Sequence, residues 1–146
     1  MNENLNINMK PLTVLFVCVH NSGRSQMAEA FVNYEATAQN LSLRAYSAGT
    51  VEGKSLNTNA VQAMSELGIS MSGQTPKLMT QEMADQADLI ISMGCGVDAK
   101  ACPAKLILVE DWGLEDPADQ PIERVREIRD QIQVRVNKMI EEITAL

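Results

Sequence analysis

VLFVCVHNSGRSQMAEA, Val14 to Ala30, decides the fold of this chain. The run from Leu12 to Val17 is short, apolar and mostly β-branched or aromatic. It follows Pro11 and ends at Cys18, as a buried strand would. Gln26 to Ala38 then carries helix formers, with apolar residues at Met27, Ala30, Phe31 and Tyr34. Strand, loop and helix therefore follow one another within this one segment.

Further along, the same signals recur. Leu43 to Ala48 reads as a second strand ended by Gly49, and Asn57 to Leu67 as a helix stopped by Gly68. A short helix is predicted over Thr80 to Gln86, a third strand over Asp88 to Met93 and a fourth over Lys105 to Val109. After Pro121, Ile122, Val125, Ile128, Ile132, Val136, Ile140 and Ile143 recur at helical spacing, with Asp119 or Gln120 near the cap. Parallel neighbours need crossovers, and those are commonly helices. The alternation thus predicts an α/β three-layer sandwich with a four-stranded parallel sheet flanked by helices. At 146 residues one core suffices: residues 1–10 are expected to be a loose polar extension and residues 11–146 a single catalytic domain.

Composition narrows the function. Twelve basic against nineteen acidic residues give a net charge of −7, which argues against nucleic acid or an anionic membrane as the main partner. Any anionic ligand must be held by local geometry. No stretch approaches the roughly 20 apolar residues of a membrane span. MNENLNINMK also lacks the apolar run of a signal peptide, so a cytoplasmic location is expected. An odd count of three cysteines does not build a disulfide framework. With no C-x-x-C pair and His20 as the only histidine, no metal site is expected either. Reactive thiols are the interesting reading and buried inert cysteines the ordinary one.

In such a fold ligands bind beyond the carboxyl ends of the strands, often over a helix N-terminus. Cys18 stands there. A curled loop can turn the backbone N–H groups of Val19, His20, Asn21, Ser22, Gly23 and Arg24 inward around a tetrahedral oxyanion. Gly23 permits an unusual torsion, and the Arg24 guanidinium can bind two anion oxygens. The same positive potential favours the Cys18 thiolate, making it a nucleophile at neutral pH. Ser25 is placed to donate to the sulfur and Asn21 to brace the loop. The His20 side chain is given no catalytic role; exposure and loop shape account for it.

CVHNSGRSQMAEAF, YSAGT, SMGCGVDAKACP and EDWGLEDPA, in that order, resemble the arsenate reductases built on the low-molecular-weight tyrosine phosphatase fold, and the resemblance runs across nearly the whole chain from Leu12. It implies that fold, arsenate as substrate and Asp116 as the general acid. Physically, the first displacement needs a proton on the leaving oxygen, and a carboxylic acid on a loop over the anion supplies one. Glu110, Asp111, Glu115 and Asp119 crowd the same stretch, so an acidic surface loop is the competing reading. The Asp116-Pro117 pair favours Asp116. Trp112 is expected to pack this loop against the body.

The loop alone would not separate reductase from phosphatase; Cys95 and Cys102 do. They flank GVDAKA after the third strand, at the same sheet edge as Cys18. A continuous helix would hold their Cα atoms roughly 10 Å apart, beyond the disulfide limit of about 7 Å, so a bond between them requires the segment to loop out. Beside an activated Cys18, the two are read as members of a three-thiol relay. Its last disulfide, the resemblance implies, is reduced by thioredoxin, with no cofactor bound. The residues themselves leave glutaredoxin with glutathione, or another small thiol, open.

Two departures matter. The tyrosine phosphatases carry an aromatic residue shortly after the Asp-Pro pair, whereas Pro117 is followed by Ala118, Asp119 and Gln120, which disfavours a phosphotyrosine substrate. Some related reductases bind potassium through an asparagine, a glutamate, a serine and an aspartate. Asn21, Glu29 and Ser47 match, but Lys77 stands where the aspartate would be, so no potassium requirement is expected. The competing functions are a phosphatase with a phospho-Cys18 intermediate and, further off, an oxyanion or redox sensor. A monomer is expected.

Overall fold

The computed structural model describes residues 10–94 and 110–145. Its elements are β1 (Leu12–Cys18), α1 (Arg24–Ala38), β2 (Leu43–Gly49), α2 (Thr58–Ser65), α3 (Gln81–Gln86), β3 (Leu89–Ser92), β4 (Glu110–Asp111) and α4 (Ile122–Thr144). The four strands form one parallel sheet in the order β2-β1-β3-β4. β1 is central, in register with β2 from Leu12↔Leu43 to Cys18↔Gly49 and with β3 from Val14↔Leu89 to Val17↔Ser92.

Alternation along β1 sorts the layers. Val14, Phe16 and Cys18 face a core completed by Met27 and Phe31 of α1, Ala60 and Met64 of α2, and Val125, Ile128, Ile132 and Val136 of α4. Leu15 and Val17 face the other way, against Ala48, Met79, Ile90 and Ala84 of α3. Helices therefore cover both faces, as a parallel sheet with hydrophobic runs on both sides requires. The Trp112 ring lies 5.3 Å from that of Phe16, which seals the chain after β4 onto the body as the sequence suggested.

Several boundaries move. α1 starts at Arg24, two residues before the helix formers, because Gly23 serves as its N-cap and its carbonyl accepts from Met27 N–H. Tyr34 is 47% exposed; α1 buries a face centred on Met27 and Phe31, and Tyr34 lies at its edge. The cap of α4 falls on Pro121, whose carbonyl receives the Arg124 and Val125 N–H groups. Asp119 instead makes a left-handed turn at φ 60°. The strand expected over Lys105–Val109 lies outside the described residues, as do residues 1–9 of the N-terminal extension; the fourth strand is seen at Glu110–Asp111.

The strand order reverses at β1. Its neighbour on one side is reached through α1, and on the other through the later α2–α3 crossover. That switch point leaves a crevice above the carboxyl end of β1, where Cys18 ends the strand.

Candidate active site

Cys18 forms the floor of a cleft of about 210 Å³, which is also lined by His20, Asn21, Ser22, Gly23, Arg24, Asn57, Asp116, Pro117 and Ala118. The thiol is 3% exposed. Its loop is pinned from below: Thr50 N–H donates to Cys18 O and Val51 N–H to Val19 O, both at 3.0 Å. The two chains run so close that a Cβ on Gly53 would lie 2.1 Å from His20 O, so this position admits only glycine without moving the loop.

Two donors converge on the sulfur. Asn21 N–H reaches Cys18 Sγ at 3.2 Å, and Ser25 Oγ lies 2.8 Å from it. The direction of the second bond follows from its neighbours. Asn21 Oδ1 accepts from Lys77 N–H at 2.9 Å and from Gln26 Nε2 at 2.8 Å, so the Asn21 amide must turn its Nδ2 toward Ser25 Oγ, 2.8 Å away. With one lone pair so engaged, the Ser25 hydroxyl keeps its proton available for Cys18, and a thiolate there, which can only accept, takes it. Both contacts favour the thiolate.

Asn21 is fully buried in a left-handed conformation at φ 56°, a strained backbone held by these side-chain bonds. Gln26, also fully buried, extends the brace: its Nε2 donates to Thr75 O at 2.9 Å and its Oε1 accepts from Gln74 Nε2 at 2.7 Å. Gln26 lies within CVHNSGRSQMAEAF, yet nothing in the sequence marks it, Gln74 or Asn57 as a brace of the site.

At the N-terminus of α1 the cap is Gly23, which has no side chain to occupy the first-turn N–H groups. By contrast, Asn57 and Thr80 cap α2 and α3 with their own oxygens. The uncapped donors of α1 open on the cleft beside Cys18, a partly positive helix end suited to an anion.

Arg24 is 5% exposed, and its Nη1 donates to Leu114 O at 2.7 Å and Met93 O at 3.3 Å. Its Nη2 lies 3.6 Å from Asp116 Oδ2. Asp116 is half exposed at the rim, and its Oδ1 accepts from Ala118 N–H at 3.0 Å across Pro117. Asn57 ties the rim to the loop: its backbone N–H donates to Ser22 O at 2.8 Å and its Nδ2 to Pro117 O at 3.3 Å.

Lys77 Nζ lies 4.0 Å from Glu29 Oε1, which accepts from Ser47 Oγ at 2.6 Å. The ammonium thus stands beside the carboxylate where the resemblance would have put a potassium ligand. Among the described residues no group of three or more His, Cys, Asp or Glu side chains is placed to hold a metal ion. No helix among them is long and apolar enough to cross a membrane. Cys95 and Cys102 lie outside the described residues.

The structure thus brings Cys18, His20, Asn21, Ser22, Gly23, Arg24 and Asp116 around one cleft; Val19 and Ser25 of the same loop do not line it. The family model for low molecular weight phosphotyrosine protein phosphatase matches residues 13–145. A glutaredoxin arsenate reductase of Synechocystis sp. is 38% identical over 132 residues, covering 90% of this chain and 98% of the relative. A solved arsenate reductase in the phosphate binding state superposes with TM-score 0.73 at 38% identity, over 92% of this chain and 99% of that one. A thioredoxin-dependent arsenate reductase of Corynebacterium glutamicum superposes with TM-score 0.75 at 31% identity, covering 97% of this chain and 66% of that chain.

Proposed function

The chain belongs to the low molecular weight phosphotyrosine protein phosphatase family, and from that premise we propose that it is an arsenate reductase, converting arsenate to arsenite through Cys18, Cys95 and Cys102. The observation that carries the proposal is the sulfur of Cys18, held by Asn21 N–H and Ser25 Oγ at the floor of a cleft sized for a small oxyanion. Relatives and solved neighbours named arsenate reductase support the choice of substrate.

Arsenate enters with its oxygens on the loop N–H groups from Val19 to Ser25 and on Arg24. The Cys18 thiolate attacks arsenic, and Asp116 gives a proton to the departing oxygen, which leaves as water. A Cys18 sulfur–arsenic adduct results, still As(V). The Cys95 thiolate then attacks the Cys18 sulfur. A Cys18–Cys95 disulfide forms as the sulfur–arsenic bond breaks, and its electron pair stays on arsenic. Arsenic is thereby reduced to As(III) and leaves, once protonated, as arsenite, while two cysteines are oxidised. Cys102 next attacks Cys95, releasing the Cys18 thiolate and forming a Cys95–Cys102 disulfide. Reduced thioredoxin returns that disulfide to two thiols. The thioredoxin-dependent neighbour supports this donor, while the relative named for glutaredoxin keeps a second donor in the test.

Fully reduced protein mixed with arsenate and no external thiol tests the proposal. One arsenite per chain with a Cys95–Cys102 bond in the peptide map is expected; no arsenite and intact thiols overturn it. The second reading is a phosphatase, favoured by the activity in the family's name and by the neighbour solved in a phosphate binding state. Cys95→Ser separates the two, because it abolishes reduction and spares hydrolysis of a phosphate monoester.

A further inference from the structure

Asp111 has no part in the chemistry above, yet one oxygen of its carboxylate takes two hydrogen bonds. It ends β4 directly opposite Ser92, the last residue of β3. One oxygen, Oδ1, accepts both the Ser92 hydroxyl and the Gly94 N–H, the latter at 2.7 Å. A carboxylate receiving two donors makes bonds roughly twice as strong as neutral ones.

The chain leaves the sheet at this point under tight constraint. Gly94 has φ +81°, and a Cβ there would lie 2.4 Å from Gly113 Cα and 2.5 Å from Leu114 N. Met93 O accepts from Leu114 N–H at 3.1 Å and from Arg24 Nη1 at 3.3 Å, and Ser92 O accepts from Trp112 N–H at 2.9 Å. Residues 92–94 are thereby clamped to residues 111–114, with the guanidinium of Arg24 bonded to both strands of the clamp. The next residue in the sequence is Cys95.

We propose that Asp111 is a positioning residue for the second thiol: by holding Gly94 N–H it fixes the direction in which the chain leaves the sheet toward Cys95, and so sets the rate of attack on Cys18. This rests on the three-cysteine relay proposed above. The step it governs is the one in which the Cys95–Cys18 bond forms, the Cys18 sulfur–arsenic bond breaks and its electron pair stays on arsenic. Such displacements are steeply sensitive to placement; an error of about 1 Å costs on the order of a hundredfold in rate.

The test is single-turnover release of arsenite from reduced protein and excess arsenate, beside the rate of Cys18 alkylation by iodoacetamide read from peptide mass spectra. Asp111→Ala is expected to slow arsenite release roughly ten- to a hundredfold, leaving the Cys18 alkylation rate within about twofold. Asp111→Asn, whose amide oxygen still accepts from Gly94 N–H, is expected to recover most of the rate. Should Asp111→Ala fail to fold, Asp111→Ser is too short to reach that N–H and carries the same expectation. Equal arsenite rates in the substituted and original chains overturn this proposal alone. So does parallel loss of both readouts, which would mark a purely structural role. No arsenite from the original chain overturns the relay and this proposal with it.

Discussion

Lys77 and Asn21, 56 residues apart, meet through a backbone N–H donating to the Asn21 side-chain oxygen at 2.9 Å. Because a backbone N–H can only donate, this one bond fixes which end of the Asn21 amide faces Ser25, so that Ser25 accepts from Asn21 and keeps its proton for a Cys18 thiolate. The nucleophile is thus prepared by a residue from beyond α2.

Ser25→Ala removes the last bond of that chain. A hydrogen bond to a charged group contributes about 1.5–3 kcal/mol, which corresponds to roughly one to two pH units. The thiolate is disfavoured, so the pH profile of Cys18 alkylation is expected to move upward. Iodoacetamide rates from acid to alkaline pH check this, and an unmoved midpoint refutes it. Ser25→Thr keeps the hydroxyl and should stay close to the original profile.

Asp116→Asn keeps the shape of the rim and loses the proton. General acids contribute about a hundred- to ten-thousandfold, so turnover should fall within that range. Steady-state rates decide the matter; an unchanged turnover would remove Asp116 from the chemistry.

Asn57→Ala breaks two connections at once: the cap on Ala60 N–H at 2.9 Å and the tether to Pro117 O. Loss of an Asn cap costs about 0.5–2 kcal/mol, visible as a lower Tm. Aspartate keeps the cap but cannot donate to Pro117, so Asn57→Asp isolates the loss of the tether: kcat should fall in both variants, whereas Tm should fall further in Asn57→Ala. An original kcat in Asn57→Asp would show that the tether plays no part in turnover.

Lys77 predicts indifference to potassium. Its ammonium stands 4.0 Å from Glu29, so thermal melts in potassium and sodium chloride at equal ionic strength should coincide. A potassium-specific rise in Tm would count against the prediction. Lys77→Asp places a second carboxylate beside Glu29 and should create the potassium response that the original chain lacks.

Two carboxylates contribute to the acid limb of stability. Glu66 is held below its ordinary value of 4.5 by hydrogen bonds from Arg126 and then Arg129, and Glu115 likewise by Arg124. Each native value is depressed, so the unfolded chain takes up the proton first. The stabilisation is present above 4.5 and is lost as the pH falls through the lowered native values. Arg126→Met should flatten the fall of Tm between about pH 5 and about pH 3. An identical slope would show that the Glu66 pair adds nothing to acid stability.

The main elements and the anion loop were legible because they depend on short-range pattern. A β-branched run into Cys18, a glycine before Arg24 and isoleucines at helical spacing all lie close together in sequence. What escaped was long-range. Gln26 and Gln74 are 48 residues apart, and Asn57 and Pro117 are 60 apart, so only the finished fold makes them partners. Asp111 is likewise tied to Ser92 and Gly94 across 17 to 19 residues, a link no local pattern announces. Tyr34 erred the other way, since an apolar position in a helical pattern says nothing of where the buried face ends.

The central place of β1 has a consequence for how the molecule breathes. Its residues are flanked by strands on both sides and buried on both faces from Val14 to Val17, so their amides should exchange with deuterium only through global opening. The six-residue α3 has far less to hold it and should exchange through local fluctuations. The nucleophile therefore rides on the part of the protein that unfolds last. A destabilised variant loses its periphery well before its reactive sulfur loses its setting.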